Sequence, residues 1–174
     1  METQPRRPLV VVDIGYSHRK GSCGLAWTEQ HTPAQVRFGQ AIEGVAKQIT
    51  VFKKCVLVLE APLSTFHNQL GNPEIRGEFE KGRGWYWGPG AVALLAAGRF
   101  LEQLASKLGR SQRVFLAEAF LSNKSQRTMH VADAVSILDR FWDTKPEAMK
   151  SGVEPILDVI KGVPQVRVFD SSHQ

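Results

Sequence analysis

Cysteine and long apolar runs are scarce in this sequence, and each scarcity excludes a class of protein. The only cysteines, Cys23 and Cys55, lie in apolar strand-like segments and do not have the spacing of metal-ligand pairs. No segment approaches the roughly 18 consecutive apolar residues of a membrane span, and the first eight residues lack the apolar core of a secretory signal. We therefore expect a cytoplasmic protein with reduced cysteines and no membrane-spanning segment.

Acidic residues are also in the minority. The 174 residues include 22 lysines and arginines against 17 aspartates and glutamates, which gives a formal net charge of +5. A basic balance favours a polyanionic partner, because attraction to phosphates supplies much of the affinity of proteins for nucleic acid. The length suits one domain with a sizeable core. We therefore expect a single domain over residues 1–174 and a nucleic-acid partner.

Short apolar runs that end in an acid are the main pattern that is present. Each run is typical of a strand that is buried on both faces. The acids are Asp13, after residues 9–12, Glu60, after residues 55–59, and Glu118, after residues 113–117. An acid in such a position is costly unless a cation or hydrogen-bond donors meet it. Because the carboxyl ends of parallel strands meet at one edge of a sheet, we expect these acids to converge there.

The remaining pattern predicts further strands and three helices. Residues 23–27 and 35–38 are also strand-like, and apolar residues then recur at helical spacing in three later segments. The predicted helices begin near residues 42, 91 and 129 and end near residues 52, 108 and 142. A weaker helix is expected over residues 145–161, and a strand-like piece over residues 166–169.

This order of elements predicts the α/β class. Three hairpin-linked strands followed by alternating strands and helices imply a mixed five-stranded sheet flanked by helices. The predicted core covers about residues 9–142, with a long loop insertion at residues 62–89 and a C-terminal extension at residues 143–174.

A fourth acid lies within the first turns of the last predicted helix. Asp133 shares its face with Ala134 and Val135, and His130, three residues earlier, lies on the same side. Carboxylates that converge without basic partners repel one another, and divalent cations can neutralise that repulsion. An all-oxygen set suits Mg²⁺ or Mn²⁺ rather than Zn²⁺. Two such ions can activate a water and stabilise the leaving oxygen of a phosphodiester, which is the chemistry of a two-metal nuclease.

Three motifs in this order resemble the ribonuclease H-like superfamily. They are VVVDIGYSHRKGSCGLAW in the first hairpin, VLVLEAP in the fourth strand and HVADAV at the start of the last helix. The last of them is similar to the His-x-x-Asp-Ala segment of RuvC-type Holliday-junction resolvases and related nucleases. The resemblance spans about residues 9–141. It implies a ribonuclease H-like fold, metal-dependent cleavage of DNA or RNA, and a homodimer, since junction resolvases of this type work as dimers.

The resemblance also implies roles for the residues at matching positions. Asp13, Glu60 and Asp133 would be metal ligands, and His130 an auxiliary ligand or a proton-transfer group. Glu118 is a further candidate ligand, although the resolvase pattern does not require an acid at that position. The basic turn after the first strand and the long loop have no counterpart that we can assign.

Basic and aromatic residues in the predicted loops are candidate nucleic-acid contacts. Cations hold phosphates, and aromatic rings stack on bases, in many proteins that bind nucleic acid. The candidates are Arg19, Lys20, Arg76, Lys81, Arg83, Trp85, Trp87, Lys124 and Arg127. The aromatic cluster at residues 85–87 equally fits a loop that packs on the core or a contact between two copies of the chain.

Each site residue also has a structural interpretation, and the function has alternatives. Asp13 is typical of a turn, and Glu60, before Ala61 and Pro62, of a solvated strand end. Asp133 is typical of a carboxylate favoured by the helix dipole, and His130 of a capping or packing residue. A nuclease is the leading hypothesis. One alternative is a non-catalytic module that binds nucleic acid or takes part in an assembly. Another is an actin-like or sugar-kinase-like domain that binds phosphate at residues 13–15, but that class needs two such domains.

Overall fold

A computed structural model describes residues 7–17, 20–29, 32–61, 63, 89–121, 127–144, 147–148 and 164–169 of the protein. The strands in these ranges are β1 (Leu9–Asp13), β2 (Cys23–Trp27), β3 (Ala34–Val36), β4 (Lys54–Glu60), β5 (Arg113–Leu121), β6 (Glu147–Ala148) and β7 (Pro164–Phe169). The helices are α1 (Phe38–Phe52), α2 (Pro89–Ala105) and α3 (His130–Arg140), and a 3₁₀ turn (Phe141–Thr144) follows α3. Among the described helices, none combines the length and the apolar character needed to cross a bilayer.

The strands form one open, mixed sheet in the order β3-β2-β1-β4-β5-β7-β6. β1, β4 and β5 are parallel neighbours, whereas β2 is antiparallel to both β1 and β3. β7 pairs antiparallel with β5, and β6 pairs parallel with β7. The predicted α/β class and mixed sheet are thereby confirmed. The five predicted strands lie side by side, and β7 and β6 from the C-terminal extension continue the sheet beyond β5.

β1 and β4 lie in the middle of the sheet and have helices on both faces. Because successive side chains of a strand point to opposite faces, Val10 and Val12 pack with α1 and α2, whereas Leu9 and Val11 pack with α3. The same alternation divides β4 between the two apolar clusters. Burial on both faces explains why each strand is a nearly continuous apolar run.

The third strand is shorter than predicted, and α1 begins earlier. β3 ends at Val36, and Phe38, predicted as the last residue of that strand, is the first residue of α1. Phe38 is buried, and its ring meets the Phe100 ring edge-on with centroids 5.8 Å apart. The Gln40 side chain also accepts a hydrogen bond from Arg37 N, which fixes the start of the helix. Packing against α2 therefore decides the conformation of this segment.

β5 is longer than predicted, because pairing with β7 extends it to Leu121. Glu118, predicted to follow the strand, lies inside it. The helix predicted over residues 145–161 is wrong at residues 147–148, which form β6 beside β7. Residues 149–161 lie outside the described part of the chain, and so does the predicted long loop apart from residues 63 and 89.

Candidate metal centre

Asp13 and Glu60 end two neighbouring strands. The parallel pairing of β1 with β4 sets Asp13 directly beside Glu60, as the sequence predicts. Asp13 lies two residues after Val11, so its side chain is on the same face of β1, which α3 covers. Glu60 lies two residues after Val58 and is on the same face of β4. Asp13 is buried and Glu60 is half-buried.

Asp133 comes to these two acids from the first turn of α3. It is only 4% exposed, and Ala134 and Ile137 beside it bury the helix against the sheet. Carboxylate oxygens of Asp13, Glu60 and Asp133 all lie within 4.8 Å of one another. The structure therefore brings together three of the acids that were singled out in the sequence.

His130 contacts this group through Asp13. Its Nδ1 lies 2.8 Å from Asp13 Oδ1, and the imidazole is 40% exposed whereas the Asp13 side chain is 4% exposed. An ionised Asp13 would only accept hydrogen bonds, so in that state Nδ1 would be the ring atom that carries the proton. The pair thus fixes the orientation of the ring while the side chain stays accessible to solvent.

Thr128 is a residue of the site that was not singled out in the sequence. Its hydroxyl donates a short hydrogen bond to Asp133 Oδ1. This contact fixes one carboxylate oxygen of a residue whose other oxygen can serve as a ligand. A threonine just before the start of a helix is the signal that could have drawn attention to it, although such residues more often cap the helix.

Gly24 is a second residue that the sequence reasoning missed. It lies directly opposite Asp13 in β2, and a Cβ atom there would fall 2.0 Å from His130 O. The first turn of α3 can approach the sheet beside Asp13 only because this position has no side chain. A glycine inside a strand is a known signal of close backbone approach. On the other edge of β2, Gly24 pairs with Gln35 of β3. The Gln35 Oε1 atom lies 3.5 Å from Val131 N.

Glu118 does not join the three acids. In β5, Ala117 and Ala119 pack on the face of α3, whereas Val114 and Leu116 pack on the face of α1 and α2. Alternation therefore puts the Glu118 side chain on the face opposite the metal centre. It is fully buried, and its Oε2 accepts a hydrogen bond from Leu63 N at 2.7 Å.

Two of the predicted nucleic-acid contacts are described. Lys20 lies in the segment between β1 and β2, Arg127 lies shortly before α3, and both are exposed. Both segments adjoin elements that carry the acids of the metal centre. The other candidates lie outside the described residues: Arg19, Arg76, Lys81, Arg83, Trp85, Trp87 and Lys124.

The donor set of the site consists of oxygen atoms. Cys23 lies in β2 beside Gly24, the residue that pairs with Asp13, but burial raises the pKa of its thiol, and the negative charge of Asp13 raises that pKa further. The thiol is therefore protonated at neutral pH and offers no thiolate ligand. Three carboxylates in this arrangement could hold a metal ion, and such hard donors suit oxygen-seeking divalent cations.

No protein family, curated protein or solved structure matches the chain. The resemblance to the ribonuclease H-like superfamily therefore stays a prediction.

Proposed function

We propose that this protein is a divalent-metal-dependent nuclease that hydrolyses phosphodiester bonds in DNA or RNA. The observation that carries the proposal is the convergence of Asp13, Glu60 and Asp133, whose carboxylate oxygens lie within 4.8 Å of one another. Three acids held this close repel one another, and a divalent cation offsets that repulsion. The mixed sheet flanked by helices and the acids on β1, β4 and α3 support the ribonuclease H-like fold that the motifs imply.

Mg²⁺ is the proposed cofactor, with Mn²⁺ as its substitute. Both ions prefer carboxylate and water oxygens, and the three acids supply such oxygens without a thiolate. Bound there, divalent ions would supply Lewis-acid polarisation of the phosphate and a water of lowered pKa. Asp13, Glu60 and Asp133 would hold them.

His130 is proposed to move the proton. With Asp13 ionised as a metal ligand, the contact between Asp13 Oδ1 and His130 Nδ1 holds a proton at Nδ1, so Nε2 is the ring atom that accepts one from a water or returns it to a leaving oxygen. The 40% exposure of the side chain leaves it within reach of a substrate at the sheet edge. Asp13 then has two roles, as a metal ligand and as the residue that orients His130.

The basic balance of the chain supports nucleic acid as the substrate. The net charge is +5 although three acids are concentrated at one site, and Lys20 and Arg127 are exposed on segments that adjoin it. A positive surface attracts the phosphate backbone over a distance comparable to the Debye length. The homodimer that the resemblance implies stays a prediction.

A cleavage assay tests this function. Labelled four-way junction, RNA–DNA hybrid, single-stranded DNA and single-stranded RNA are each incubated with Mg²⁺, Mn²⁺ or a chelator. We expect metal-dependent cleavage of at least one substrate, and a loss of about 100-fold or more in Asp13→Asn, because that change replaces a carboxylate ligand by a neutral amide and removes the negative charge beside His130.

Asp139→Asn is the matched control, because Asp139 is an exposed acid on α3 outside the site. It should cleave as the wild type does. Retained cleavage in a well-folded Asp13→Asn variant would contradict the proposal. Binding of substrate without metal-dependent cleavage would instead favour the non-catalytic module.

A further inference from the structure

Glu118 is a fully buried acid that lies outside the metal centre. It is 0% exposed, and it belongs to the face of the sheet that packs on α1 and α2. The register between β4 and β5 sets it directly beside Leu59, one residue before Glu60. A buried carboxylate in this position needs a local structural or functional reason, because burial of an ionisable group is costly.

The hydrogen bond from Leu63 N supplies that reason. β4 ends at Glu60, and Ala61 is buried in the cluster of α1 and α2, against which Leu63 also packs. Glu118 Oε2 accepts the Leu63 N–H at 2.7 Å, so the chain is tied to β5 three residues after Glu60. The backbone at Glu60 itself is fixed by the pairing of β4 with β1.

We infer that Glu118 is a positioning residue for Glu60. It holds the segment that leaves β4 and thereby fixes the backbone from which the Glu60 carboxylate reaches the metal centre. This inference rests on the proposed function for the importance of Glu60 as a ligand. Displacement of a ligand by about 1 Å is enough to weaken a metal or catalytic site strongly.

The proposed role needs an acceptor oxygen at position 118 and not a negative charge. Glutamine has the same shape as glutamate and keeps an oxygen that accepts a hydrogen bond from Leu63 N. Leucine has no acceptor. Glu118→Gln should therefore preserve the anchor, and Glu118→Leu should remove it. If Glu118 were instead a metal ligand, Glu118→Gln would weaken metal binding, because a carboxylate ligand would become a neutral amide.

Mn²⁺ titration calorimetry and amide hydrogen exchange at Leu63 test the inference. We expect Glu118→Gln to bind Mn²⁺ within about threefold of the wild type, and Glu118→Leu to bind it about tenfold or more weakly, as for loss of a residue that orients a ligand. Glu60→Gln, which removes a proposed ligand, is the reference for lost binding. Leu63 N–H should be protected in the wild type and in Glu118→Gln, and should exchange faster in Glu118→Leu.

Two results would overturn the inference. One is a folded Glu118→Gln variant that loses Mn²⁺ affinity as Glu60→Gln does. The other is an unprotected Leu63 N–H in the wild type. Both can be read even if Glu118→Leu does not fold. A wild type without affinity for Mn²⁺ would contradict the proposed function, whereas the exchange of Leu63 N–H reports on the anchor independently of the metal.

Discussion

At the scale of single residues, two of the three acids in the metal centre have a hydrogen-bonded partner from the same short segment. Thr128 donates to Asp133, and His130 contacts Asp13, so residues 128–130 orient two of the proposed ligands. Partners of this kind fix which oxygen of a carboxylate is available to a metal.

We predict that removal of the Thr128 hydroxyl weakens metal binding. Thr128→Val keeps the shape of the side chain but has no hydroxyl, so the hydrogen bond to Asp133 Oδ1 is lost and this carboxylate is held less firmly. We expect the affinity for Mn²⁺ to fall about tenfold, within the usual range for loss of a residue that orients a ligand. Titration calorimetry measures the change.

Thr128→Ser is the matched control, because it keeps the hydroxyl and loses only a methyl group. It should bind Mn²⁺ within about threefold of the wild type, since the donor to Asp133 is retained. Equal losses in the serine and valine variants would show that packing, and not the hydrogen bond, accounts for the effect.

At the scale of elements, the site depends on how closely α3 approaches β2. Gly24 makes that approach possible, because any Cβ atom at this position would overlap the backbone at His130 and Val131. The close contact places both His130 and Asp133 over the ends of β1 and β4. One glycine in a strand thus sets the position of two site residues that lie more than 100 positions later in the chain.

Gly24→Ala should therefore move α3 away from the sheet. We expect a loss of about 1–3 kcal/mol in the free energy of unfolding, as for other overpacked positions. Cleavage and Mn²⁺ affinity should fall with it, because His130 and Asp133 move together. Denaturant titration and Mn²⁺ calorimetry measure the two effects.

Gly98→Ala is the corresponding control. Gly98 lies in α2, where a Cβ would meet nothing within 4 Å. Alanine there should raise the free energy of unfolding by about 0.5–1 kcal/mol, since glycine disfavours the interior of a helix. An equal rise in the free energy of unfolding of Gly24→Ala would contradict the close packing of α3 on β2.

Much of the sheet could be predicted from the sequence, because burial on both faces leaves a visible pattern. The apolar runs of β1 and β4 end in Asp13 and Glu60, and parallel pairing of these strands places the two acids side by side. Asp133 and His130 were predicted from their spacing on one helix. These predictions depend on local pattern and on one general property of parallel sheets.

The position of Glu118 could not be predicted in this way. Its position after an apolar run resembles that of Asp13, but the run continues through Ala119 to Leu121, and the register with β4 sets Glu118 beside Leu59. A shift of one residue in register exchanges the two faces of a sheet. A local sequence pattern does not specify that register, so it could not show that Glu118 lies on the opposite face. The pairing of β5 with β7 is equally non-local.

At the level of the complete chain, the proposed function makes substrate binding depend on metal binding, because of how charge is distributed. The chain carries a net charge of +5, yet three carboxylates face one another at one edge of the sheet. The net positive charge would attract the backbone of the proposed nucleic-acid substrate, whereas the metal-free acids would repel its phosphates. Bound divalent cations would remove that repulsion. The proposed function therefore requires that Asp13, Glu60 and Asp133 bind such a cation.

Calorimetric titration with Mn²⁺ is the most direct test of that requirement. Three proteins are compared: the wild type, Glu60→Gln and the control Asp139→Asn. We expect saturable binding by the wild type and by Asp139→Asn, and a loss of about tenfold or more in Glu60→Gln, because one carboxylate ligand becomes a neutral amide. No binding by the folded wild type, or equal binding by all three proteins, would contradict the assignment of these acids as a metal centre.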